Sequence, residues 1–551
     1  MDLGVILPRE RIEAMRAAGA WRDVLILDYL EDALAGGAGR TAFVTYNGER
    51  GDAETLTFAD FDRLTRRIAL KLLDLGMGAG DVISIQLPNW WQFAALHVAA
   101  VRIGAVTNPL MPIFRERELE YMLGFAESRL MVAPARFRGF DYRPMYADLR
   151  PSLPALEHVY FIDDDGPASF ERVFLAEPLE DAADAEARLA SCRPGPDTVN
   201  EIIYTSGTTG MPKGVMHTPN STLGTVAYFI ETLGLGAGDV MFMASPLAHQ
   251  TGFLYGILMP LMCAAPVIYL DRWQPPQAAE IIQRHRCTWT MGATPFVADL
   301  VHMPNVSDFD LSSLKIFVSA GAPIPPPLVQ HVDAHFGFRL LSGWGMTECA
   351  CTTLCRLDDP PERAWTSDGR PLPVSEVAVF DEEGRRLPTG EEGELKVRGH
   401  PLFVGYLKKP ELHGTDADGW FDTGDIARID EDGYIRISGR SKDIIIRGGE
   451  NVPVVEIETL LYRHPAVQDA AVVGMPDERL GERGCAFITL NEGTSLDFAE
   501  MIAWLEEAGT ARQYLPEHLE VVAEMPRTPS GKIQKFVLRK QAETLAPGPT
   551  A

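Results

Sequence analysis

The chain has 551 residues, 46% hydrophobic and 23% charged, and its 77 Asp and Glu against 50 Lys and Arg leave a formal charge of -27. That length exceeds one ordinary domain, and the composition is that of a globular protein with a large core. The negative balance repels nucleic acid and anionic membranes, so small-molecule chemistry is the favoured class. Seven cysteines, odd in number, scattered and without a CxxC pair, predict reduced thiols in a cytoplasmic protein and exclude a disulfide framework. The N-terminal MDLGVILPRERIEAMRAAGAW lacks an apolar run behind a basic start and does not read as a secretory signal.

From residue 57, TFADFDRLTRRIALKLLDLG predicts an amphipathic helix capped by Thr57 and Asp60, with Phe61, Leu64, Ile68 and Leu72 on one face and a stop at Gly76. A strand-like DVISIQL (81–87), a helical stretch (90–102) and a second strand-like run, RLMVAPA (129–135), follow. Such alternation implies a largely parallel sheet covered on both faces. The apolar TGFLYGILMPLMCAAPVIYL (251–270) is long enough to raise a membrane span, but Pro260 and Pro266 interrupt it. A helix followed by a buried strand explains the same composition.

After about Pro373 short runs, SEVAVF and GELKVRG, flank the turn-rich DEEGRRLPTGEE and predict a β-rich subdomain. The polar, turn-forming 439–442 then sets a boundary between expected domains 1–440 and 441–551. Within the second, Asn451 is expected to cap a helix with Pro453 in its first turn and Ile457, Leu460 and Leu461 on one face. The tail LAPGPTA reads as disordered. The expected fold is α/β: a large N-terminal domain of mostly parallel sheets flanked by helices with a β-rich subdomain, then a small α+β C-terminal domain.

The chemistry starts at YTSGTTGMPKG (204–214). It is not a Walker A loop, because Pro212 precedes Lys213 and Gly214 follows it. Its hydroxyls, glycines and single lysine nonetheless suit phosphate capture better than a plain turn. Downstream stand PLAHQTG (246–252), SAGAPI (319–324), GWGMTE (343–348), WFDTGD (420–425), GRSKDIIIRGGEN (439–451) and RTPSGKIQK (527–535). In this order they strongly resemble the adenylate-forming superfamily of acyl-CoA synthetases, non-ribosomal peptide adenylation domains and beetle luciferases, over nearly the whole chain.

The resemblance implies an ATP-dependent carboxylate:CoA ligase acting through an acyl-adenylate. Thr205, Ser206, Gly207, Thr208, Thr209, Gly210 and Lys213 would grip the β- and γ-phosphates, which leave as pyrophosphate when a carboxylate attacks the α-phosphate. The resemblance implies that Mg2+ is held at Glu348, which accords with the absence of a hydroxyl directly after Lys213. Thr347 matches the threonine that hydrogen-bonds the α-phosphate. Trp344, within the Ser342, Gly343, Gly345 and Met346 stretch, replaces an aromatic that stacks on adenine, and Gly321, Ala322 and Pro323 line the adenine edge. Asp425 matches the carboxylate that accepts both ribose hydroxyls, with Arg440 beside it. Lys532 matches the lysine that bridges the attacking carboxylate and the α-phosphate, and His249 borders the acyl pocket.

The matched acyl pocket comprises Ala248, Gly252, Phe253, Met291, Ala293, Thr294, Cys349 and Ala350, none of them charged. Amino-acid-activating relatives place an Asp in the PLAHQTG region, and none stands there, so an uncharged aliphatic or alicyclic acid is expected. The overall look leans toward ligases for cyclohexanecarboxylate and short- to medium-chain acids. Coenzyme A is the expected acceptor, passing Gly448 and Gly449, with the small domain turning about Lys442. A free-standing ligase that loads a carrier protein and a non-catalytic nucleotide-binding regulator are the alternatives. The expected partners are the acid, ATP and CoA, without nucleic acid or a membrane span, and a homodimer is a candidate assembly. Cys349, Cys351 and Cys355 crowd together without further ligands and read as small apolar wall rather than a metal site.

Overall fold

The computed structural model describes residues 3–205, 212–322, 324–440, 445–447, 450–477, 480–528 and 531–545. Among these, two large sheets build the N-terminal part. In the nine-stranded sheet, Arg339–Met346, Ile316–Ala320, Trp289–Gly292, Met241–Met243, Val267–Leu270 and Thr41–Asn47 run parallel, while Asp52–Thr57, Ala350–Leu354 and Arg370–Pro371 close its edges antiparallel. The six-stranded sheet is parallel through Glu201–Thr205, Val106–Pro109, Val82–Ile85, Leu130–Pro134 and His158–Ile162, with Lys213–His217 antiparallel at one edge.

The central strands read as unbroken apolar runs because both faces are covered. Val82–Ile85, Val267–Leu270 and Trp289–Gly292 are buried at every residue. Helix Trp91–Arg102 touches strands of both sheets and is likewise buried throughout. Four alanines among its twelve residues allow that close approach. Helix Phe58–Asp74 starts as the sequence predicts: the Asp60 N–H donates to Thr57 Oγ1 at 3.1 Å and the Thr57 N–H to Asp60 Oδ2 at 3.2 Å. Phe61, Leu64, Ile68 and Leu72 form its buried face.

The apolar 251–270 segment resolves into short helical pieces, Gln250–Gly252, Phe253–Leu258 and Met259–Cys263, followed by the buried strand Val267–Leu270. No helix among the described residues is long and apolar enough to cross a membrane. Beyond Pro373, Ser375–Phe380, Glu392–Gly399, Phe421–Ile429 and Ile435–Arg440 form an antiparallel sheet, the β-rich subdomain.

The small C-terminal domain is built on a mixed sheet of Glu450–Val452, Ile445–Arg447, Gly481–Leu490, Val467–Asp477 and His518–Val521, flanked by helices Val454–Tyr462, Phe498–Glu507 and Lys535–Ala542. Here one expectation fails. Asn451 does not cap a helix, because it lies in strand Glu450–Val452 opposite Ile446, and the helix begins after Pro453 with no side-chain cap. Ile457 and Leu461 still form its buried face, while Leu460 is half-buried. The terminal tail, 546–551, lies outside the described residues.

Candidate active site

A cleft of about 2730 Å³ opens where the large sheets, the antiparallel sheet and the C-terminal domain meet. Its size accommodates a nucleotide and an acyl group together.

The phosphate-loop motif joins the antiparallel strands Glu201–Thr205 and Lys213–His217, with Thr205 opposite Lys213. Both residues line the cleft. Ser206, Gly207, Thr208, Thr209 and Gly210 lie outside the described residues. The free edge of the second strand is bridged by 405–407: Met216 N–H donates to Gly405 O at 3.0 Å and Leu407 N–H to Gly214 O at 2.8 Å. This bridge sets Tyr406 beside the site. The Lys213 ammonium lies 4.2 Å from the centre of the Tyr406 ring, a cation–π contact.

The same tyrosine hydroxyl donates to Glu348 Oε1 at 2.7 Å. Burial, reinforced by the Glu348 charge, pushes that hydroxyl's pKa up, so it stays a donor. Glu348 is only 3% exposed yet faces the cleft. A cleft-facing carboxylate anchored at one oxygen by a hydroxyl suits a hard divalent cation, which takes oxygen ligands, so the residues present fit Mg2+.

Strand Arg339–Met346 carries the GWGMTE motif to the cleft, and Gly345 in it is required by the returning strand Ala350–Leu354. A Cβ at Gly345 would lie 1.7 Å from Ala350 O, and one at Gly343 3.1 Å from Cys351 Sγ. Thr347 is fixed through its carbonyl, which accepts a hydrogen bond from His217 Nε2 at 2.7 Å. A carbonyl only accepts, so the His217 proton sits on Nε2. Burial pushes this imidazole down to about 4 and keeps it neutral. Neither His217 nor Tyr406 was marked by any motif or spacing in the sequence; each reaches the site through non-local pairing.

Trp344 and Asp425 both line the cleft, and the indole N–H donates to Asp425 Oδ2 at 2.9 Å. Asp425 is paired across the antiparallel sheet with Arg440. Gly321 and Ala322 line the cleft nearby, whereas Pro323 lies outside the described residues. Ser342 is buried away from the cleft wall, its carbonyl accepting from Cys355 N–H at 2.8 Å.

Lys532 enters the cleft from the C-terminal domain. Its turn is closed by Thr528 N–H to Lys532 O at 2.7 Å and Lys532 N–H to Thr528 Oγ1 at 3.0 Å, and Arg527 ties it to Asp469 at 2.5 Å. The side chain lies against Gly321, where a Cβ would stand 2.6 Å from Lys532 Cε and 3.3 Å from Nζ. Burial, with the Lys532 charge adding to it, pushes the His249 imidazole down to about 3. His249 is therefore neutral at working pH, and its Nδ1 accepts from Thr251 N–H at 3.3 Å. Orientation rather than proton transfer is the chemistry open to it.

Of the expected acyl wall, Ala248, Met291, Ala293, Thr294 and Ala350 line the cleft. Gly252, Phe253 and Cys349 do not. A Cβ at Gly252 would lie 2.1 Å from Pro246 O, so this glycine serves a tight turn. Phe253 points into the core, its ring edge-on to His97 at 4.6 Å. Cys349 packs with Val215 and Trp344 in a separate apolar cluster. Leu254, Tyr255 and Cys351 take their places on the wall. Burial pushes the Cys349 and Cys351 thiols up to about 12, so both remain protonated, and no metal-binding cluster of His, Cys, Asp or Glu occurs among the described residues. Lys442, Gly448 and Gly449 lie outside the described residues.

Replacing Tyr406 with Phe keeps the ring under Lys213 and removes the hydrogen bond to Glu348. A hydrogen bond to a charged group justifies an expected loss of about tenfold in acid-dependent pyrophosphate release. The apparent Mg2+ requirement should rise with it in a metal titration. An unchanged titration would show that the tyrosine only packs.

Comparison with known proteins agrees with this geometry. Residues 30–407 match the family model of the AMP-binding enzyme, and residues 456–532 that of the AMP-binding enzyme C-terminal domain. The chain is 36% identical over 543 residues to a medium-chain fatty-acid–CoA ligase of Escherichia coli (strain K12), covering 98% of this chain and 94% of the relative. It is 33% identical over 537 residues to a 2,3-dihydroxybenzoate-AMP ligase of Bacillus subtilis (strain 168), covering 97% and 96%. Among solved structures, the anthranilate CoA ligase AuaEII in complex with anthranoyl-AMP superposes with a TM-score of 0.85 at 27% identity, over 95% of this chain and 98% of that one. With two family models spanning both domains and relatives aligned end to end, the chain belongs to the AMP-binding enzyme family, the adenylate-forming superfamily that includes the acyl-CoA synthetases.

Proposed function

We propose that this chain is an ATP-dependent carboxylate:CoA ligase that activates an uncharged aliphatic or alicyclic acid, working in the cytoplasm, where its seven cysteines would stay reduced. The observation that carries the reading is Lys532. A cation delivered from a separate domain into a cleft that also holds Lys213, Thr347 and Glu348 suits a reaction in which a carboxylate must approach a phosphate.

In the first step a carboxylate oxygen attacks the α-phosphorus of ATP, the bond to the β-phosphate breaks, and pyrophosphate leaves. Lys532 stands between the two anions and stabilises charge developing there. Lys213 holds the departing phosphates as a point charge, and Thr347, held in place by His217, hydrogen-bonds the α-phosphate. Asp425 accepts the ribose hydroxyls. Glu348 would hold Mg2+, which neutralises phosphate charge when bound. In the second step the CoA thiolate attacks the acyl carbon of the adenylate and AMP leaves. We assign the pantetheine path to Gly448 and Gly449 and the hinge between the half-reactions to Lys442, with domains meeting near 440.

The wall of Ala248, Leu254, Met291, Ala293 and Ala350 supports an apolar acyl group, and the similarity to a medium-chain fatty-acid–CoA ligase points the same way. The test is a panel of acids scored by pyrophosphate release with and without CoA. Cyclohexanecarboxylate or a short- to medium-chain fatty acid should support release and, with CoA, thioester formation, while amino acids should not. An α-amino acid as best substrate at equal concentration would overturn the pocket reading. Adenylation without transfer to free CoA would favour a carrier-protein acceptor, and no release with any acid would favour a nucleotide-binding regulator.

A further inference from the structure

Trp344 presents two different surfaces. It lines the cleft and packs in an apolar cluster, and its ring edge carries the N–H that meets Asp425 Oδ2 at 2.9 Å. Both residues are nearly buried, 9% and 5% exposed, so this contact is sheltered from water. The Asp425 backbone is fixed independently: its N–H donates to Thr423 Oγ1 at 3.1 Å, and that hydroxyl donates to Leu395 O at 2.7 Å. Those bonds set where the Cα stands. They act on the backbone, whereas the carboxylate plane turns about its own terminal torsion, which is intrinsically broad, and is held through its own contacts, the indole N–H among them.

The indole N–H acts on that torsion. It is a donor only, so it cannot compete with the carboxylate for hydroxyl protons, and a hydrogen bond to an ionised acceptor is among the stronger kind. Engaging one lone pair of Oδ2 in advance orients the remaining lone pairs before any ligand arrives, and preorganised acceptors lose less freedom on binding. Gly345 contributes by steric necessity, since a Cβ there would stand 1.7 Å from Ala350 O in strand Ala350–Leu354.

We propose that Trp344 is a positioning residue for the nucleotide sugar: its indole N–H presets the Asp425 carboxylate to accept both ribose hydroxyls, so discrimination of ATP from deoxynucleotides depends on Trp344. The inference rests on the reading of Asp425 as the ribose carboxylate given under Proposed function. It goes beyond it by separating the edge of the ring from its face. A tryptophan acting only as an apolar wall contributes equally to ATP and 2′-deoxyATP. One that orients Asp425 contributes more to the nucleotide with both hydroxyls.

The experiment measures kcat/KM for ATP and for 2′-deoxyATP by pyrophosphate release, at saturating acid, in the full-length wild type, Trp344→Phe and Asp425→Ala. Phenylalanine keeps an aromatic face and removes the donor. The expected result is that Asp425→Ala abolishes the preference for ATP and that Trp344→Phe lowers it about five- to tenfold, the range of a charge-assisted hydrogen bond, with the KM for the acid unchanged. A wild-type preference in Trp344→Phe alongside its collapse in Asp425→Ala overturns the proposal and leaves the ribose reading standing. An undiminished preference in Asp425→Ala overturns that reading and the proposal with it. Should Trp344→Phe fail to fold, benzothienylalanine at position 344 replaces the indole N–H by sulfur at nearly constant shape, and the same ratio decides.

Discussion

Lys532→Ala is expected to lower adenylation by about two to three orders of magnitude, the scale found when a preorganised partner of transition-state charge is removed. In barrier height that is about 3 to 4 kcal/mol. The size follows from the geometry. The lysine turn is closed on itself by Thr528 and tied to strand Val467–Asp477 through Arg527 and Asp469, so the ammonium arrives on a fixed mount rather than a loose tail. Its side chain is seated in the space left by the missing Cβ of Gly321. Lys532 is half-buried and contributes little to the core, so the thermal midpoint should not move. The measurement is a single turnover, with acid-dependent pyrophosphate release scored separately from thioester formation from supplied acyl-AMP and CoA. The second half-reaction brings no carboxylate onto a phosphate and should survive. Equal loss in both would show that the lysine is structural or serves both half-reactions.

How much of this was legible in the sequence depends on how local each cause is. The Thr57 and Asp60 cap needs residues three apart and was readable. So was the helix-then-strand character of 251–270, because two prolines and the run's length decide it. Asn451 misled because cap chemistry and hairpin chemistry use the same residue types. Two strand-like runs around a glycine pair are a hairpin signal, and Ile445–Arg447 does pair with Glu450–Val452. The motifs brought Lys213, Thr347, Glu348, Asp425 and Lys532 to one cleft, as their order implied. The acyl wall was only partly legible, since Phe253 and Leu254 are neighbours on a helix and one turns to the core while the other turns to the cleft. Neighbouring helix positions point about 100° apart, so the sequence marks both as apolar without recording which of the two meets the cleft. Tyr406 and His217 were not legible at all. They stand 58 residues from Glu348 and 130 from Thr347, and only strand pairing joins them.

Gly321→Ala tests the seat of the lysine from the opposite side. At φ +87° this residue occupies a region that an L side chain enters at a cost of about 1 to 2 kcal/mol, and the added methyl would stand 2.6 Å from Lys532 Cε. Backbone at that distance could not yield, but the end of a lysine can, so the protein should fold and the ammonium should be displaced. Misplacing a reacting partner by about 1 Å costs on the order of a hundredfold, which gives an expected loss of about 30- to 100-fold in adenylation. Thioester formation from supplied acyl-AMP should be spared, as in Lys532→Ala. The double variant separates the two ways the methyl could act. If it works by pushing the lysine away, Gly321→Ala should add almost nothing in a Lys532→Ala background, because the group it displaces is already gone. If it works by straining the backbone along the nucleotide, the same loss should recur there and the KM for ATP should rise in both backgrounds. A full additive loss in the double variant would therefore detach Gly321 from Lys532 and leave the glycine as a backbone requirement alone.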